Sequence, residues 1–236
     1  MDRTSNMSER RLRAAAGWLL LITLGGIFLR HFGAQAIAGQ PLSGPHVTSA
    51  IAAYYGHGAL TGVYWLTALT YLAFVGFLIA FRSVIAERGD AIARLFADIG
   101  AAFGLVELPI LFLELGLSAA LVALSGSAVG ESRAAMLGVF ASWDWIFNGM
   151  ADWLELGMVG MISLACGRSG LIPRWLVALG VVAALLRPVS ALVLVAGLPV
   201  ELKLLVTLPF IAWFLALGIA LVRTADREIA ARPALR

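Results

Sequence analysis

The sequence predicts an all-α polytopic membrane protein, a bundle of about six transmembrane helices with both termini cytoplasmic. Three observations carry this. Hydrophobic residues fill 61% of the 236 positions and charged residues 13%, against about 45–50% and about 25% in soluble domains. Apolar runs of about 20 residues, enough to cross a hydrocarbon core of roughly 30 Å, recur between short polar stretches. The basic residues also sort by side: thirteen arginines fall in the N-terminal arm, the second and fourth connections and the tail, whereas Arg30, Arg133 and Lys203 fall on the other side. Basic residues accumulate in cytoplasmic segments, which sets the orientation. Arg187 is left inside the fifth span.

Residues 1–13, with Arg3, Arg10, Arg11 and Arg13, form a basic cytoplasmic arm; 14–222 form one membrane domain; 223–236 form a polar cytoplasmic tail. The first span is the uncharged run 14–29. A basic arm, an apolar run and Ala34-Gln35-Ala36 also fit a signal peptide, but Arg30 and His31 interrupt the stretch before that cleavage motif. Residues 30–58 read as an outer loop holding all three histidines (His31, His46, His57), with Tyr54 and Tyr55 as an interfacial belt. Span two, 58–81, has no charge, and 82–94 make a polar turn. Span three then runs to about 124, and its Gly100 and Gly104 let another helix approach closely. After a Gly/Ser-rich loop, span four occupies about 134–166. A tight turn follows, with Pro173 at a natural helix start. Span five, kinked or locally opened at Pro188, runs to about 197, and span six covers about 202–222 with Pro209 in its outer half.

The rest of the chain is organised around residues 143–155, W-D-W-I-F-N-G-M-A-D-W-L-E. At about 100° per residue, Asp144, Asn148, Asp152 and Glu155 fall within roughly 80° of one helix face. Acidic groups at membrane depth are costly and point into a bundle or a wet cavity. Counting about 1.5 Å per residue from the span centres, Glu107, Glu114, Asp152, Glu155 and Arg187 share one slab near the midplane, and Asp144 lies nearer the outside. Five carboxylates against one arginine cannot all be ionised there. At least two are expected to carry a proton near neutral pH unless a cation is bound. Glu114 or Asp152 is the expected partner of Arg187. Trp143 and Trp145 suit the outer interface, Trp153 suits core packing or a cation-π wall, and Tyr64 is a further candidate lining residue.

Other chemistries find little support. No basic patch interleaves with aromatics as nucleic-acid binding requires. Cys166 is the only cysteine, so neither an internal disulfide nor a thiolate metal site can form. The histidine spacings give no helical ligand pair, and no phosphate loop, nucleophile elbow, H-E-x-x-H or C-x-x-C occurs. These motifs leave the cofactor and any bound metal unassigned.

Residues 170–186 read G-L-I-P-R-W-L-V-A-L-G-V-V-A-A-L-L. This resembles the hallmark of a large family of bacterial multi-pass membrane proteins, in which a glycine, an apolar pair and Pro-Arg open the penultimate span. The long segment after span one, the arginine-bearing turn after span two and the overall length agree with it. The resemblance implies a six- or seven-helix bundle in the bacterial inner membrane and carries no known activity. Span four is richer in acid than that pattern.

Three functions stay open at this point. The leading one is transport or binding of a proton, a metal ion or a cationic small molecule in an intramembrane acidic pocket, with Glu107, Glu114, Asp144, Asn148, Asp152 and Glu155 as ligands and Arg187 as counter-charge. An intramembrane enzyme acting on a lipid or isoprenoid would use one carboxyl as general acid, with Trp143, Trp145, Trp153 and Tyr64 facing a developing cation. A lipophilic tunnel ending at a carboxylate would mark it. A structural or regulatory partner of another membrane protein would instead show acids paired internally and an apolar groove facing lipid.

Overall fold

The structure, a computed structural model, describes residues 3–39, 48–126, 131–195 and 200–230, and every element among them is a helix. Helix α1 (Arg3–Phe28) passes through a π-helical segment (Leu29–Gly33) into α2 (Ala34–Ala38), and α3 (Thr48–Tyr55) is short. Long helices α4 (Leu60–Arg88) and α5 (Ala91–Ser125) follow, then α6 (Glu131–Trp145), a second π-helical segment (Ile146–Ala151), α7 (Asp152–Ser169), α8 (Arg174–Val195) and α9 (Val200–Ala230). Six stretches are long and apolar enough to span a membrane: Glu9–Ala38, Leu60–Arg88, Ala91–Ser125, Gly149–Ser169, Arg174–Val193 and Leu205–Thr224. The chain is a multi-pass membrane protein. Its outward side chains, such as Trp65, Leu69, Leu72 and Ile79 on α4, are apolar as lipid contact requires.

The spans close into a ring in chain order. Helix α1 packs on α4, α4 on α5, α5 on α7, α7 on α8, α8 on α9, and α9 returns to α1. Inside the ring lie Phe74, Phe77 and Phe81 of α4, Met158, Val159 and Ile162 of α7, and Trp213, Phe214 and Leu217 of α9. Without a hydrophobic drive between helices in lipid, close contact depends on small residues. Gly100 and Gly104 do provide it: a Cβ on Gly100 would lie 3.0 Å from Ile162 Cγ1, and one on Gly104 would lie 3.1 Å from Met158 Sδ.

The two ends of the ring differ. Gly17 of α1 faces the Gly218 carbonyl of α9, so the two terminal segments leave from the same end. Charge gathers there. Glu9 pairs with Arg13 at 2.9 Å and with Arg88. Asp90 caps α5 by accepting the Ala93 amide at 2.9 Å and also accepts from Arg168. The Arg168 guanidinium and that amide hold the Asp90 carboxyl below the usual aspartate range. At this end Gly170, with φ 64°, closes α7 in the left-handed conformation that glycine adopts freely, and α8 begins directly after Pro173. At the opposite end Ser125 Oγ donates to the Tyr55 carbonyl at 2.8 Å, tying α3 to the end of α5.

Two sequence expectations change. Span one does not stop at residue 29: Ala34-Gln35-Ala36-Ile37-Ala38 continues it as helix, and Arg30 is buried rather than part of an outer loop. The rest of that loop region includes α3, with Ile51, Tyr54 and Tyr55 buried. The sixth span, Leu205–Thr224, agrees with the expected 202–222, and its helix α9 continues to Ala230.

Two arginine clusters as the candidate functional site

The acids at 152 and 155 are three residues apart at the start of α7, a spacing that puts both on one face of a helix. They meet the same guanidinium. Arg187, projecting inward from α8 one residue before Pro188, pairs with Asp152 and with Glu155. Its remaining surface is also covered: it donates to Thr207 Oγ1 at 3.3 Å and stacks over the Phe210 ring at 4.6 Å, both from α9. Glu107 of α5 completes the group, its carboxyl within interacting distance of that of Glu155. Glu107 is 3% exposed and its Oε2 has no hydrogen-bond partner. Helices α5, α7, α8 and α9 thus converge on one cation and three carboxyls.

Glu114 lies two turns further along α5 and belongs elsewhere. It is fully buried and forms a two-pronged ion pair with Arg30 from the first π-helical segment. Arg30 also donates to the Tyr71 hydroxyl of α4 at 3.3 Å. Tyr54 and Tyr55 of α3 and Tyr64 of α4 lie within electrostatic range of the same guanidinium. These four are all the tyrosines in the chain. Ser118 and Tyr64 lie beside the Tyr55 hydroxyl. Burial lifts the Tyr54 and Tyr55 phenols above the usual tyrosine range, so both remain protonated.

Both clusters lie beside π-helical turns, which are rare and concentrate at functional sites. Each π segment contains a glycine, Gly33 or Gly149, among the weakest helix formers. Each also adds a residue to the helical repeat, which has a consequence for span four. A phase of about 100° per residue holds from Asp152 to Glu155, both within α7, but it cannot be carried across Ile146–Ala151 to Asp144. The side chains of Trp143, Asp144, Trp145 and Asn148 lie outside the described residues.

The other expected lining residues separate. Tyr64 is buried beside the Arg30 cluster. Trp153 is 55% exposed and forms neither core packing nor a wall of the acidic site. With Phe103, Leu156, Met161, Val181 and Leu185 it lines an outward-facing apolar groove of about 350 Å³ between α5, α7 and α8. His31 and His57 are exposed and His46 lies outside the described residues. Among the described residues no three His, Cys, Asp or Glu are placed to hold a metal ion.

Sequence reasoning missed Arg30, Tyr71, Ser118, Thr207 and Phe210. The helix-forming A-Q-A-I-A after Arg30 was the available signal that the span continues. For Thr207 and Phe210 the signal was weaker: an intramembrane arginine needs acceptors and a polarisable face from a neighbouring span. No protein-family model, curated protein or solved structure matches this chain.

Proposed function

We propose that the protein binds and exchanges protons at the Arg187 cluster, as a proton-coupled transport or binding protein of the bacterial inner membrane with both termini cytoplasmic. One observation carries the reading. The Glu107 and Glu155 carboxyls lie close enough to interact, beside a guanidinium already engaged by Asp152. Two carboxyls can share a hydrogen bond only when one is protonated. Among the described residues the cluster holds three carboxyls and one guanidinium, so full ionisation would leave these groups with two net negative charges in a poorly solvated interior, a state that protonation relieves. Arg187 then keeps Asp152 and Glu155 engaged while Glu107 gains and loses the proton.

The metal version of the acidic pocket is less well supported, because two of the three carboxyls are already paired to arginine. The enzyme reading gains nothing from the described groove, whose wall is wholly apolar and includes no carboxylate. That same groove, together with the internal pairing of Glu114, Asp152 and Glu155, favours a second reading as a partner of another membrane helix. The segment 170–186, forming the Gly170 cap and the start of α8, supports grouping the chain with the bacterial family it resembles.

Purified protein reconstituted in liposomes with an internal pH dye tests the proposal. A pH step should drive proton flux that Glu107→Gln reduces at least about tenfold, the usual scale for losing a proton-transfer group. Flux absent from the wild type, or unchanged in Glu107→Gln, would refute it.

A further inference from the structure

The apolar groove between α5, α7 and α8 lies outside both arginine clusters, and its two long walls run into charge. On α7, Trp153, Gly157, Met161 and Leu164 line it at intervals of three or four residues, the spacing of one helix face, and Arg168 continues that face one turn further. On α8, Val181 and Leu185 line it, and Arg174 lies seven residues before Val181 on the same face. The two helices stay in contact from the groove down to these arginines: Gly160 faces Ala184, and Gly167, beside Arg168, packs on Val177. Arg168 is about half exposed and pairs with Asp90 at 2.8 Å. Arg174 is exposed and has no ion-pair partner among the described residues. Trp175, next in the chain, is 62% exposed, and exposed tryptophans mark the membrane interface.

The length of the groove selects its occupant. Trp153 and Leu164 lie about 17 Å apart along α7, close to the roughly 15 Å of hydrocarbon in one leaflet. Arg168 follows about 6 Å further on, at headgroup depth. A partner helix crossing the membrane would need contact over about 30 Å, nearly twice what the described lining supplies. An acyl chain with an anionic headgroup needs only one leaflet and a cation at its end. We propose that an anionic phospholipid occupies this groove, with one acyl chain lying from Leu164 to Trp153 and its phosphate held by Arg168 and Arg174. Guanidiniums grip phosphate by paired N–H bonds, and basic residues between helices at headgroup level recognise anionic lipids. The exposed Arg168–Asp90 pair is of a weak kind, so Arg168 can turn to a phosphate. The site is on the lipid-facing side of the bundle, and the inference holds whether or not Glu107 exchanges protons.

The test is native mass spectrometry of the detergent-purified full chain titrated with phosphatidylglycerol and, separately, with phosphatidylcholine of the same acyl chains. The wild type should retain one phosphatidylglycerol with an affinity about 25-fold above that for phosphatidylcholine, two factors of about five for two arginines at an anionic headgroup. Arg174→Gln should lose about fivefold of that preference, and Arg168→Gln/Arg174→Gln nearly all of it. Trp153→Ala, at the apolar end, should weaken both lipids by about the same factor. Arg11→Gln, exposed at the same end of the bundle but on α1, which packs on α4 and α9, should change neither. If the double variant does not fold, Arg174→Gln still decides, because that side chain is exposed and unpaired among the described residues. Equal affinity for the two lipids in the wild type, no loss in Arg174→Gln, an equal loss in Arg11→Gln, or unchanged binding in Trp153→Ala overturns the inference. A dimer that carries no lipid overturns it in favour of a protein partner.

Discussion

Arg30 and Arg187 are both buried guanidiniums reached by a glutamate of α5, yet their surroundings balance differently. Around Arg30, one carboxylate meets one cation that also donates to the Tyr71 hydroxyl, a neutral arrangement. Around Arg187, three carboxyls meet one cation that a threonine and a phenyl ring also touch, an acidic arrangement short of donors. The comparison shows that a count of acids along the membrane normal cannot define a site. Glu107 and Glu114 share a helix and a face, and their partners give them opposite chemistry.

The largest expected effect separates the clusters by rescue. Removing one member of a buried ion pair costs about 3–5 kcal/mol because the other charge is stranded. Arg30→Gln and Arg187→Gln should each lose that much in detergent unfolding. Adding Glu114→Gln should restore most of the loss in the first. Adding Glu107→Gln should restore little in the second, since Asp152 and Glu155 remain without a cation. Equal rescue at both sites would abolish the distinction.

Single glutamate changes sharpen it further. Glu107→Gln replaces a protonated carboxyl by a neutral amide of similar shape that can still donate a hydrogen bond, and should leave stability nearly unchanged. Glu114→Gln strands Arg30 and should destabilise by about 3 kcal/mol. A near-neutral change at one glutamate against a large loss at the other is the signature; equal losses would count against it.

Smaller still is the coupling between the sites. Glu107 and Glu114 are seven residues apart, about 10 Å along α5, with no shared partner among those described. The double variant Glu107→Gln/Glu114→Gln should therefore match the sum of the single effects within about 0.5 kcal/mol. A larger deviation would mean that α5, with Pro109 between the two positions, transmits strain from one cluster to the other.

The smallest effect belongs to the charged end, where Asp90 caps α5 and receives Arg168. Its carboxyl is held below the ordinary value when folded. That stabilisation is complete above the unfolded aspartate pKa of about 3.9 and disappears as pH falls through the lower folded value. Unfolding measured from pH 6 to pH 2 should show this loss in the wild type and a flatter profile in Asp90→Asn. Neither inner cluster should be altered.

Much of the fold is legible in the sequence because lipid imposes it. Run length and the Gly-x-x-x-Gly pair follow from how a bilayer treats polar groups and close helix contacts, and residues such as Gly100 and Pro173 act locally as expected. The candidate site is only half legible. Asp152 and Glu155 lie within one regular helix, so their common face and their meeting with Arg187 could be read from spacing. Arg30 could not, because a charge after an apolar run usually marks a span's end, whereas here a buried carboxylate on another helix compensates it. Asp144 illustrates a second limit. Helical phase does not pass through a π-helical turn, and nothing in I-F-N-G-M-A announces that turn beyond one glycine.

The central claim is that a proton is held in the Arg187 cluster and none is needed in the Arg30 cluster. Infrared difference spectroscopy of the purified protein, titrated from pH 5 to pH 9 without added metal or sodium, measures this directly. A protonated-carboxyl band should persist near neutral pH, vanish in Glu107→Gln and survive in Glu114→Gln. A spectrum in which every buried carboxyl of the wild type is ionised at neutral pH, or in which only Glu114→Gln removes the band, would contradict it.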